Sequence, residues 1–118
     1  MMMHEERKIA KIVEELTVYF FSVGADKIQS GIEKEGKNVI ITFRANYHPR
    51  YKSELYHLDD YLNGPKNDGI EDIYWELAGS GDPGETSQLL LLGMMIDKAH
   101  VCFEEDIVDI KLQKEMLE

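Results

Sequence analysis

Asn38-Val39-Ile40-Ile41-Thr42-Phe43-Arg44 is the stretch that decides how this chain folds. Successive side chains of a β-strand leave on opposite faces, so Val39, Ile41 and Phe43 go one way and Ile40, Thr42 and Arg44 the other. The first set is the core-facing one. Residues 107–112 repeat the design: Val108, Ile110 and Leu112 alternate with Asp109 and Lys111, the pattern of an antiparallel strand with one wet face.

Each of these strands has a hairpin partner. Residues 26–33 lead into 38–44 through Lys34-Glu35-Gly36-Lys37, whose glycine permits a tight reversal, and residues 101–104 lead into 107–112 through the acidic turn Glu104-Glu105-Asp106. Ahead of both hairpins, Ile9, Ile12, Val13, Leu16, Phe20 and Val23 recur at spacings of three and four, which predicts a helix over 5–22 ended by Gly24. Between the hairpins, Tyr51, Leu55, Leu58 and Leu62 share a helical face until Asn63-Gly64-Pro65 breaks it, and Ile70, Ile73, Tyr74 and Leu77 form a shorter stripe. Asp82-Pro83-Gly84-Glu85 has a capping acid, a proline at the first helical position and a glutamate three after the cap. It opens a helix over 83–98 whose stripe is Leu89, Leu92, Ile96 and Ala99, with Met94 and Met95 read as core.

The expected order is α-β-β-α-α-α-β-β in one domain over 1–118. The fold class is α/β (α+β): a two-layer sandwich with a mixed sheet of four or five strands and helices 5–22 and 83–98 on one face. Leu16, Phe20, Ile41, Phe43, Leu92, Ile96, Val108 and Ile110 are expected to be buried.

Composition narrows the function classes. Hydrophobic residues are 43% and charged residues 31% of 118, a globular balance rather than a disordered one. Thirteen Lys and Arg against 23 Asp and Glu give a net charge of −10, which repels a phosphate backbone, so nucleic acid is not an expected partner. The one cysteine, Cys102, lies in the apolar run Val101-Cys102-Phe103 and reads as a small buried hydrophobe. No apolar run approaches the ~20 residues that span a bilayer, and Met1-Met2-Met3-His4-Glu5-Glu6 has no targeting pattern; the cytoplasm is the expected compartment.

The element order, together with the helix around Val13-Glu14-Glu15-Leu16-Thr17-Val18, the strand Val39-Ile40-Ile41-Thr42-Phe43-Arg44-Ala45-Asn46, the glycine-containing loop and the last strand, resembles the histidine-kinase-like ATPase fold. The resemblance is to the catalytic ATP-binding domain of bacterial sensor histidine kinases in two-component signalling. It implies ATP and magnesium as cofactors, Glu14 as the catalytic acid of the first helix, and Asn46, Gly79, Gly81 and Gly84 as nucleotide-contacting positions. It also implies a protein partner, such as a histidine-containing dimerisation domain or a regulatory protein, because phosphotransfer needs a phosphoacceptor histidine.

The family's motifs are incomplete here. The magnesium-binding Asn, four residues after the Glu, is replaced by Val18, which has no oxygen for a hard cation. The adenine-reading Asp-x-Gly falls at Ala45-Asn46-Tyr47, with neither Asp nor Gly. Asp82 and Glu85 place negative charge where phosphates would meet a helix start. The expectation is therefore a degenerate domain without independent kinase activity; the alternative is a non-catalytic regulatory or protein-interaction module on the same fold. Glu54, His57, Asp59 and Asp60 read as a solvated face rather than a metal site. No metal ligand set is assigned, and no role is assigned to His4, His48 or His100.

Overall fold

The computed structural model describes residues 4–63, 89 and 92–116. α1 (His4–Ser22) precedes a hairpin of β1 (Ile28–Glu35) and β2 (Asn38–Asn46). A 3-10 turn (Pro49–Tyr51), α2 (Lys52–Leu55) and α3 (Leu58–Asn63) follow, and the chain closes on a second hairpin, β3 (Lys98–Glu104) and β4 (Ile107–Glu115). Residues 92–95 are helical.

The two hairpins form one four-stranded sheet in the order β1-β2-β4-β3. Every pairing among the described residues is antiparallel, where the sequence led us to expect a mixed sheet. The central register sets Ile41 opposite Leu112, Phe43 opposite Ile110 and Ala45 opposite Val108. Directly opposed residues share a face, so the alternating apolar sets of β2 and β4 fall on the same side.

That side is buried. Ile12, Leu16 and Phe20 of α1, Leu55, Leu58 and Leu62 of α2 and α3, and Leu89, Leu92 and Ile96 join the strand residues in one core cluster. All eight residues expected to be buried are so. α1 lies over β1 and β2, and α3 over β3. Phe20 stacks on Phe43 with ring centroids 5.3 Å apart, and the Tyr19 hydroxyl donates to the Glu54 carboxylate across 3.1 Å, tying α1 to α2.

Helix α1 stops for a visible reason. Gly24 adopts φ +89°, its N–H reaches Phe21 C=O (3.1 Å), and Ala25 N–H reaches Phe20 C=O (2.9 Å), which satisfies the last carbonyls. A Cβ at Gly24 would meet His48 Cβ at 2.8 Å, so both the backbone conformation and the close approach require glycine.

Several boundaries differ from expectation. The first hairpin turns on Gly36-Lys37 alone, with Glu35 opposite Asn38, so β1 lies two residues further along than 26–33, and β2 runs on to Asn46 rather than ending at 44. Helix 83–98 cannot reach its expected end, because β3 begins at Lys98. Asp97 N–H already bonds Gln113 C=O (2.8 Å), and its carboxylate accepts Glu115 N–H (2.6 Å), so sheet pairing takes over there. Ala99 is consequently a strand residue. The Tyr51–Leu62 stripe is broken at Tyr56 and His57, where a 3-10-type bond, His57 N–H to Glu54 C=O at 3.1 Å, interrupts the helix. The break lets Tyr56 meet Phe103 edge-on, centroids 5.0 Å apart. The 70–77 stripe and the helix start at Asp82 lie outside the described residues.

The two sheet edges are treated differently. Asn63, the last residue of α3, donates from its amide nitrogen to Ala99 C=O (3.1 Å), and its amide oxygen accepts Ala99 N–H (3.2 Å). Its side chain thereby mimics a neighbouring strand on the outer edge of β3. No helix among the described residues is long and apolar enough to cross a membrane.

Phe43→Ala removes the ring stacked on Phe20 and should cost about 3–5 kcal/mol in urea unfolding. Phe21→Ser, at a position 63% exposed, should stay within about 0.5 kcal/mol.

Candidate functional site

A sheet covered on one face leaves its other face to account for. Among the described residues the second face carries Gln29, Gly31 and Glu33 of β1, Ile40, Thr42 and Arg44 of β2, Asp109, Lys111 and Gln113 of β4, and Lys98, His100 and Cys102 of β3. These positions alternate with the core residues, which is why so many are polar. In the middle of the face lies a shallow depression of about 390 Å³.

Its floor is made by Gly31 and Thr42, directly opposed across β1 and β2. Gly31 has no need of a positive φ; a Cβ there would meet Thr42 Oγ1 at 2.9 Å. Glycine inside a strand marks a place where something approaches the backbone closely, and here the thin floor is what makes the face concave. On one side Arg44 Nη1 donates to both Asp109 carboxylate oxygens, at 3.1 and 2.9 Å. Lys111 is opposite Thr42 on one side and His100 on the other. Neither Lys111 nor Lys98 holds an ion pair among the described residues, although the chain as a whole is strongly acidic.

The β3 wall carries a pair that sequence reading passed over. Cys102 Sγ and His100 Nε2 lie 3.2 Å apart, two residues apart along one face of the strand. Cys102 is exposed, not the buried hydrophobe expected from its apolar neighbours. The reason is parity: Val101 and Phe103 turn toward the core, so the residue between them must turn away. The signal was present as His100-x-Cys102, and starting the strand at 101 hid it. The Cys102 thiol is thus open to reagents from solvent.

The positions implied by the nucleotide-site resemblance are placed as follows. Glu14 is on the outer surface of α1, its carboxylate 3.7 Å from Lys11 Nζ, and Lys11 also pairs with Glu15 at 3.0 Å. The hydrogen bond and charge of Glu15, with Glu14 adding to it, hold the Lys11 ammonium above its ordinary value. Val18 is 56% exposed, one turn further along. Asn46, at the end of β2, has its amide engaged: its oxygen accepts the N–H groups of Asp26 (2.9 Å) and Lys27 (3.1 Å), and its nitrogen donates to the Asp26 carboxylate (2.6 Å). It clamps the entry to β1. Gly79, Gly81 and Gly84 lie outside the described residues.

The other polar groups have structural explanations. His48 Nδ1 accepts Arg50 N–H (3.2 Å) and caps the 3-10 turn. His57 Nδ1 is 3.6 Å from Asp60, while Glu54 is taken by Tyr19. No group of three or more metal-ligating side chains occurs among the described residues. Tyr47, whose hydroxyl donates to Glu105 C=O (3.0 Å), is buried beside the second hairpin turn, and burial pushes its phenol up.

No family model matches this chain, and no curated protein matches it.

Two measurements check this description. Cys102 should react stoichiometrically with a thiol reagent in the native state without denaturant; protection until unfolding would contradict its exposure. Asn46→Ala, which deletes three hydrogen bonds at the start of β1, should lower unfolding free energy by about 1–3 kcal/mol.

Proposed function

We propose that this chain is a regulatory or protein-interaction module, a degenerate relative of the histidine-kinase-like ATPase domains, that binds a protein partner on the sheet face that no described element covers. It performs no kinase or ATPase chemistry of its own. The observation that carries the reading is that face, with its concave centre over Gly31 and Thr42 and with Lys98 and Lys111 lacking carboxylate partners among the described residues. Cations with no carboxylate partner among the described residues, on a chain of net charge −10, favour a partner that presents carboxylates there.

The state of the nucleotide-site candidates supports the non-catalytic half of the proposal. Glu14 points outward into an ion pair with Lys11, and Val18 withholds an oxygen ligand from magnesium. Asn46 would have to abandon three hydrogen bonds to meet an adenine. A histidine-containing dimerisation domain or a regulatory protein of a cytoplasmic signalling system is the partner class the resemblance implies.

Calorimetric titration with magnesium ATP should show no saturable binding at millimolar nucleotide and no hydrolysis, in the wild type and in Val18→Asn alike. Binding at micromolar ATP overturns the non-catalytic reading. A photo-crosslinking side chain in place of Lys111 should give one discrete protein adduct in extracts of the source cell, competed by unlabelled chain and absent when the same group replaces Glu14. The opposite pattern removes the face from consideration.

A further inference from the structure

Among the described residues the outer edge of β1 is an open hydrogen-bonding surface. Glu35 and Asn38 close the two-residue turn, and Asn46 N–H bonds Lys27 C=O at 3.3 Å at the far end. In an antiparallel ladder hydrogen-bonded pairs alternate with non-bonded ones, so residues 27, 29, 31, 33 and 35 spend their backbone groups on β2. Ile28, Ser30, Ile32 and Lys34 turn theirs outward, and none finds a partner among the described residues. Proteins usually blunt such an edge with proline, a bulge or a covering element. β3 is blunted at Ala99 by Asn63, whereas β1 runs eight residues without a proline and leaves Ile32 55% exposed. Beside Ile32 an apolar recess of about 180 Å³ opens between α1 and the sheet, lined by Ile9, Ala10, Val39 and Met116.

We propose that β1 pairs antiparallel with β1 of a second copy of this chain, about a two-fold axis at Ser30, joining two four-stranded sheets into one of eight strands. The side chains select this register. An axis at Ser30 sets Ile28 opposite Ile32, Lys27 opposite Glu33 and Asp26 opposite Lys34, each pair occurring twice by symmetry. Apolar meets apolar and acid meets base, the pairings that stabilise neighbouring strands. Each Ile28 is carried over the recess beside the other copy's Ile32. Gly31 falls opposite Gln29 and leaves it room. An axis at Gly31 instead sets Ile28 against Lys34 and Gln29 against Glu33, and an axis at Gln29 sets Ile32 against Asp26. Lys27, Glu33 and Lys34 form no ion pair within the described residues, so all three are available. The contact uses the edge and not the uncovered face, and is independent of what that face binds.

Sedimentation equilibrium of the full chain should show a dimer. Lys27→Glu and Glu33→Lys, each placing two like-charge pairs at the interface, should weaken it by about tenfold or more. The double variant Lys27→Glu/Glu33→Lys should recover wild-type association, because every pair is again opposite in sign. In a Cys102→Ser background, Ser30→Cys should give a disulfide-linked dimer on mild oxidation, since the two Cα atoms would lie about 5.5 Å apart, within disulfide reach. A monomeric wild type at submillimolar concentration overturns the proposal. A double variant no stronger than the single ones, or a dimer that position 30 fails to cross-link, overturns the register. Unchanged circular dichroism in the charge variants separates either result from misfolding.

Discussion

The pairing of β2 with β4 is the constraint on which everything else depends. These strands come from two hairpins separated by half the chain, and their register sets which side chains face inward. With Phe43 opposite Ile110 and Ile41 opposite Leu112, one face is continuous hydrocarbon, and α1, α2 and α3 have a surface to bury against. A slip of one residue would invert β2 against β4, turning Thr42 and Arg44 into the core and Phe43 into water. The Arg44–Asp109 pair lies on the same central ladder from the wet side. Exposed as it is, it contributes at most about 1 kcal/mol, so its place is to agree with a register that the buried residues dictate.

The alternation that made this sheet readable is a local property, and local properties were the ones that read correctly. Val39, Ile41 and Phe43, then Val108, Ile110 and Leu112, announce a face each without reference to any other part of the chain. The α1 stripe and its glycine stop are equally self-contained. Errors arose where two elements compete for the same residues. Ala99 continues a helical stripe with Leu92 and Ile96, yet it is also the first inward residue of β3, and hydrogen bonds from Asp97 to β4 decide the matter. Nothing in the spacing of apolar residues could reveal those bonds. The same holds for the sheet's uniform antiparallel sense, which depends on how the hairpins meet.

The candidate site was harder to read because its residues are ordinary ones. Lys111, Thr42 and Arg44 are what any solvated strand face would carry, and only the register across four strands brings Gly31 beneath them. Cys102 was misjudged by composition, its neighbours being apolar, when strand parity alone would have turned it outward. Asn46 shows the converse. As a polar residue at the end of a strand it invites a ligand-binding role, yet its amide is held by Asp26 and Lys27 through three hydrogen bonds, a fact of geometry that no one-dimensional pattern contains.

Asn63 has a consequence for colloidal behaviour. A sheet with two receptive edges can recruit a neighbour at each, and every neighbour then offers a fresh edge, which is the route by which soluble sheets grow into fibres. By holding both backbone groups of Ala99, the Asn63 side chain closes the outer edge of β3 at that residue. One amide at the end of a short helix thus removes a point at which a neighbouring strand could add.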